Sequence, residues 1–172
     1  MQRWAVFGLT FLTACSSGSG EGQIVLSSGT EFPTEGGGIT SMPETGPLGH
    51  QSFALLLNDV RADNGVTLVM ENATLNAAAG SHAQDMVDNT YLSHTNLAGM
   101  SPGDRATAAG YDWDFMAENI AQGFNTEGSV VQAWMDSPDH RDNMLDPRPE
   151  EFGLGRDGDT WVLMLGSPDG TP

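Results

Sequence analysis

The chain has 172 residues, which leaves room for one domain and its appendages. Six arginines and no lysine face 23 acids, giving a formal net charge of −17 at pH 7. Such a surface repels phosphate backbones and anionic headgroups, which argues against nucleic acid as a partner and favours solubility and the attraction of cations.

The N-terminus carries one cation, Arg3, and then an apolar run from Trp4 to Leu12. That run is well short of the ~20 apolar residues that span a bilayer, so it reads as the core of a signal peptide. It stops at Leu12-Thr13-Ala14-Cys15, which resembles a bacterial lipobox. Residues 1–14 are therefore expected to be removed, and Cys15 to be acylated and to tether the protein to the membrane. A single acyl chain binds membranes only marginally, so durable anchoring implies more than one. Cys15 is the only cysteine. The folded part must hold together by packing, although its compartment permits disulfides.

Residues 16–49 contain nine Gly, six Ser, four Thr and three Pro, with four acids and no base. Such a segment cannot bury enough apolar surface to offset the entropy of ordering, so a disordered tether is expected over residues 15–50. Its r.m.s. span would be about 30 Å. Ile24-Val25-Leu26 could add a short strand. The folded domain is expected over residues 51–168.

Phe53, Leu56, Leu57 and Val60 recur at helical spacing, with Gly65 as a stop after Asn64. A second helix is predicted from a cap near Asn72, with Leu75, Ala78, Ala79, His82 and Met86 on its apolar stripe. His82 reads there as a core histidine, and His50, at the tether boundary, as an exposed one. Thr90 to Met100 is a polar loop. Ser101-Pro102-Gly103-Asp104 opens a short helix that Gly110 ends. Tyr111 to Gly123 alternates too weakly to separate strand from extended loop. A helix from about Glu127 carries Val130, Ala133 and Trp134 on one face until Pro138, and His140 to Leu145 adds a helical turn. Phe152–Arg156 and Thr160–Leu165 flank Asp157-Gly158-Asp159 as an antiparallel hairpin. Helices segregated from an antiparallel sheet predict an α+β domain.

Several chemistries are excluded first. There is no His-Glu-x-x-His pair, no glycine-rich phosphate loop and no Gly-x-Ser-x-Gly elbow. A calcium loop over Asp59 to Glu71 fails on spacing, because placing Gly65 sixth puts Val60 first. What remains is a set of pieces in fixed order: Leu57-Asn58-Asp59-Val60-Arg61, Ala83-Gln84-Asp85-Met86, Tyr91-Leu92-Ser93-His94-Thr95, Ala117-Glu118-Asn119-Ile120-Ala121, Ala133 to Leu145, and Phe152-Gly153-Leu154-Gly155. Together they resemble the bacterial branch of the CAP superfamily, the SCP domain of cysteine-rich secretory, antigen 5 and pathogenesis-related proteins.

The resemblance implies a CAP-type α-β-α sandwich with a small antiparallel sheet. It also implies a surface cleft lined by His94, Glu118 and His140. Eukaryotic members carry a second Glu three residues after the Trp, where this chain has Ser137. Taken alone, each histidine reads as a solvated loop residue or as an imidazole bonded to a carboxylate. If His94, Glu118 and His140 meet, they make an open site for Zn²⁺ with water in the fourth position. Asn119 could orient Glu118 or hold its own loop, while Arg141 and Asn143 are expected to fix theirs through the backbone. Ser137 and His140, at i and i+3, suggest a nucleophile pair only weakly, for want of a third group.

Two functions follow as expectations. The first is a lipid-anchored extracytoplasmic binding module for a divalent cation, a small lipid or a cell-wall ligand. The second is a metal-dependent hydrolase with Glu118 as general base. One glutamate cannot both complete a metal shell and act as free base, unless Asp136 or Asp139 reaches the cleft. A purely structural envelope protein is a third possibility.

Overall fold

Helix α1 (Gln51–Asp63) buries Phe53, Leu57 and Arg61, one residue per turn on a single stripe. Of the predicted apolar face, Leu56 and Val60 lie at its half-buried margin. The third buried place goes to a cation: Arg61 Nε donates to the Thr67 carbonyl at 2.7 Å and Nη1 to that of Met144 at 2.7 Å. The computed structural model describes residues 50–170. The leader, Cys15, the tether up to Gly49 and the Ile24-Val25-Leu26 strand lie outside the described residues.

A two-residue strand, β1 (Met70–Glu71), follows and leads into helix α2 (Ala73–Asp88). Asn72 caps α2 by accepting from the amides of Thr74 and Leu75. Helix α3 (Pro102–Ala109) starts with a reciprocal cap between Ser101 and Asp104 and stops at Gly110, whose φ of +93° is left-handed. Trp113–Gln122, which the sequence left open, is strand β2. Helix α4 (Glu127–Asp136) buries Val130, Val131 and Trp134, with Ala133 only half-buried. Helix α5 (Pro138–Met144) begins two residues earlier than expected, because Pro138 opens a new helix instead of only ending the last one. Strands β3 (Glu151–Asp157) and β4 (Thr160–Pro168) form the hairpin.

The sheet order is β1-β3-β4-β2. The β3–β4 and β4–β2 pairs are antiparallel, whereas β1 joins β3 in parallel through Met70 opposite Glu151 and Glu71 opposite Phe152. Alternation along β4 divides the core in two. Trp161, Leu163 and Leu165 meet α1, α4 and α5, and Val162 and Met164 meet α2 and α3. On β3, Phe152 and Leu154 enter the first layer, and the second face carries Gly153 and Gly155. A Cβ at either glycine would stand 2.2 Å from the backbone carbonyl carbon of Leu75 or Ala79, so α2 lies directly on the β3 backbone. Asn76 locks this seam by accepting from the Leu154 amide at 2.8 Å. Helices thus cover both faces of one sheet, and no described helix is long and apolar enough to cross a membrane.

Candidate functional site

Consecutive strand residues leave a sheet on opposite sides. On β2, Glu118 projects with Met116 and Ile120 toward the α2–α3 layer, and Asn119 with Ala117 and Ala121 toward the α4–α5 layer. Each then meets a partner from its own layer.

Glu118 is buried, and both its oxygens are engaged. Oε1 lies 2.8 Å from His94 Nδ1, and Oε2 accepts from Arg105 Nη2 at 2.5 Å. The Glu118 and Arg105 side chains are 1% and 7% exposed, which makes this a buried ion pair, while His94 is half exposed. The second Arg105 nitrogen, Nη1, donates to the carbonyls of His94 (2.8 Å) and Met100 (3.0 Å). One guanidinium therefore fastens both the backbone of His94 and the carboxylate to which its ring is bonded. Since the carboxylate accepts, the Nδ1 of His94 carries the proton of this bond.

The loop carrying His94 is anchored at two further points. His82, buried on α2, places Nε2 2.9 Å from the carbonyl of Ser93, the residue before His94. Burial lowers the His82 pKa below the ordinary histidine value, and the nearby Arg105 charge lowers it further, so the ring is neutral. The Tyr91 hydroxyl donates to Asp85, and burial together with that bond pushes the phenol up to about 12.

On the other layer, Asn119 Nδ2 donates to the His140 carbonyl at 2.9 Å and Asn119 Oδ1 accepts from Asn143 Nδ2 at 2.9 Å. Asn143 also reaches the Glu118 carbonyl at 3.3 Å, on the outer edge of β2. Arg141 Nε donates to the Met135 carbonyl and ties α5 to α4. The His140 pKa is lowered, first by burial and then by the neighbouring His94, against the opposing effect of Asp139. His94 and Glu118 are thus bonded directly, and His140 is tied through its backbone carbonyl to Asn119, the next residue of the same strand.

The remaining candidates stand apart. Ser137 joins α4 to α5, and among the described residues no hydrogen bond links it to His140. Asp136 accepts from Gln132, and Asp139 is exposed. His50, expected to be exposed, is half-buried at the start of α1. Among the described residues no three His, Cys, Asp or Glu side chains form a group that could hold a metal ion. Glu118 is instead the hydrogen-bond partner of His94 Nδ1.

Arg105 escapes sequence reasoning altogether. An arginine in an alanine-rich helix reads as solvent-facing. The only available signal is scarcity: in a chain with six cations, one beside the buried Ala106 is a candidate counter-ion for a buried acid.

Helical layers on both faces of a four-stranded sheet, with a histidine–glutamate pair at its edge strand, define an α-β-α sandwich of the CAP type. The chain belongs to the CAP, or cysteine-rich secretory protein, family, whose profile matches residues 55–162. It is 33% identical over 125 residues to the uncharacterized protein YkwD of Bacillus subtilis, an alignment covering 72% of this chain and 49% of that one. To the uncharacterized membrane protein YlbC of the same organism it is 31% identical over 103 residues, 59% of this chain and 30% of the relative. The chain thus spans half or less of the length of these curated relatives. Among solved structures, it is similar to an extracellular SCP-domain protein from Bacillus anthracis (TM-score 0.66, 26% identity, 67% of this chain and 39% of that chain). It shares its fold with an outer surface protein of Borrelia burgdorferi (TM-score 0.64, 22% identity, 69% of this chain and 91% of that one).

Proposed function

We propose that this protein is an extracytoplasmic binding module, lipid-anchored through Cys15, whose cleft between His94 and His140 takes its ligand without turning it over. The signal-like leader supports export, as do relatives described as extracellular or outer-surface proteins. The observation that carries the binding reading is the engagement of both Glu118 oxygens, by Arg105 and by His94. A general base must also lie within hydrogen-bond reach of the proton it takes, and the Glu118 side chain is 1% exposed. Releasing Glu118 for that purpose would strand a buried guanidinium.

The ligand that suits two imidazoles, one of them backed by a carboxylate, is a divalent cation of intermediate softness such as Zn²⁺. Two protein donors are fewer than the three or four of dedicated zinc sites, so the affinity is weak and solvent completes the shell. Calorimetric titration with Zn²⁺ tests this. The full chain should bind one ion, His94→Ala and His140→Ala should abolish the heat, and His50→Ala, at the start of α1, should retain it. Equal binding by the wild type and the double His94→Ala/His140→Ala variant would remove the cation reading.

A further inference from the structure

A cavity of about 580 Å³ opens between α2, α3 and the loop that joins them. None of His94, Glu118 and His140 lines it, so it is distinct from the proposed cation cleft. Its volume is that of a small-molecule site, which typically spans about 300–1,000 Å³. Ala77 and Ala78 of α2 face Ala108 and Ala109 of α3 across it, and these short side chains are what leave the space. Leu97 and Met100 complete the apolar wall, with Leu97 68% exposed.

Two further lining residues carry buried nitrogen atoms with no hydrogen-bond partner among the described residues, His82 Nδ1 and Arg105 Nε. His82 is 1% exposed and Arg105 7%. Their roles are complementary. His82 Nε2 faces the Ser93 carbonyl, which can only accept, so Nε2 holds the ring proton and Nδ1 is an acceptor. Arg105 Nε–H is a donor. Both residues line the cavity, and a group that accepts and donates would satisfy the two atoms once it displaces what covers them.

Charge narrows the choice. The Arg105 cation is already matched by Glu118, Asp85 also lines the cavity, and the chain carries a net −17, all of which disfavour an anion. A cationic group has no lone pair with which to accept from Arg105 Nε–H. We propose that this cavity binds a small uncharged molecule bearing a hydroxyl or carboxamide on a compact aliphatic body. The polar group accepts from Arg105 Nε–H and donates to His82 Nδ1, and the body packs on the alanines, Leu97 and Met100.

Cyclohexanol is a suitable probe, with hexanoate as the charged control, each titrated into the full chain and followed by proton–nitrogen correlation NMR. Cyclohexanol should give saturable shifts at the amides of Ser81, Leu97 and Ala108 and at the His82 ring nitrogens, with a dissociation constant in the millimolar range. Hexanoate should give none. Ala108→Phe, at an exposed position, fills the space and should abolish the shifts with the melting temperature unchanged. The proposal is overturned by the absence of saturable shifts with cyclohexanol, by equal or stronger shifts with hexanoate, or by cyclohexanol shifts that persist in Ala108→Phe. No metal enters this titration, so its outcome is independent of the Zn²⁺ experiment.

Discussion

Glu118 and Asn119 are neighbours on β2 and serve opposite faces of the sheet, Glu118 receiving Arg105 and His94 and Asn119 holding the carbonyl of His140. The dipeptide is the point at which the two helical layers are brought to one edge. Neither side chain could do the other's work. An amide at 118 could not neutralise a guanidinium, and a carboxylate at 119 could not donate to a carbonyl.

Glu118→Gln should therefore be costly for a reason unrelated to any ligand. The variant keeps the shape and leaves Arg105 as an uncompensated charge, 7% exposed, a loss of about 3–5 kcal/mol. Arg105→Met should cost a comparable amount by stranding the carboxylate. The double variant should recover much of the loss, since buried pairs are often replaceable by apolar groups. Urea unfolding of the four proteins gives the coupling directly. Simple additivity of the two single losses would mean that Arg105 and Glu118 do not depend on each other.

Asn119→Ala should act on α5. It removes the donor to the His140 carbonyl and the acceptor for Asn143, at a cost of about 1–3 kcal/mol for each buried group left unpaired. Amide exchange within α5 should accelerate by more than exchange in α2, which is held by its own contacts with β3. Uniform acceleration across both helices would show that Asn119 supports the whole fold and not this helix in particular.

What could be read from the sequence was local chemistry. The Asn72 cap, the Ser101–Asp104 cap, the Gly110 stop and the Asp157–Asp159 turn are each decided within four residues, and the helices and hairpin follow from them. What could not be read depends on distant partners. Strand β1 exists only by pairing with Glu151 and Phe152. On β2 both faces lie under different layers, so alternation is masked and strand and loop look alike. Of the three site residues implied by the family pattern, His94 is bonded to Glu118 and His140 to Asn119, an order invisible in sequence. That Glu118 backs His94, and that an arginine from α3 holds them both, is set by side-chain directions across two layers.

The seam between α2 and β3 makes a steric prediction. Gly155→Ala places a Cβ 2.2 Å from the Ala79 carbonyl carbon and 2.3 Å from the Gly80 nitrogen, atoms of backbone that cannot rotate away. The helix must lift, and overpacking of this kind costs about 1–3 kcal/mol or more. Gly80→Ala has nothing within 4 Å of its added Cβ and should be neutral or slightly stabilising in a helix. Equal melting temperatures for the two variants would show that the seam yields.

The proposed anchor is tested by fractionation. Cys15→Ser should release the protein from membranes or leave an unprocessed precursor, whereas the wild type stays membrane-bound and labels with palmitate. Identical partitioning of the two, together with an unmodified native N-terminus, would exclude the lipoprotein reading.

The last prediction concerns pH and rests on His82, whose pKa in the folded protein is lowered by burial first and by Arg105 second. Unfolding returns the ring to its ordinary value of about 6.5. Between the lowered value and about 6.5, the unfolded chain therefore holds more protons than the folded one, so stability rises with pH across that window. The His82 contribution is fully present above about pH 7 and is lost as pH falls below about 6.5, until the folded value is reached. His140 acts in the same direction. Asp104 and Asp146, held below the usual carboxylate range by hydrogen bonds to Ser101 and Arg148, lose their contributions only below about pH 4, so the windows separate. Repulsion among the net −17 charges eases as the pH falls, which opposes the histidine effect in the wild type alone. The comparison with His82→Gln removes that background. The variant should be less stable than the wild type near pH 7, where it has lost the ring's bond to the Ser93 carbonyl, and the gap should narrow by about pH 5. Melting temperatures of the two proteins across that range decide it, and parallel profiles would mean that His82 does not titrate between the folded and unfolded states as its burial requires.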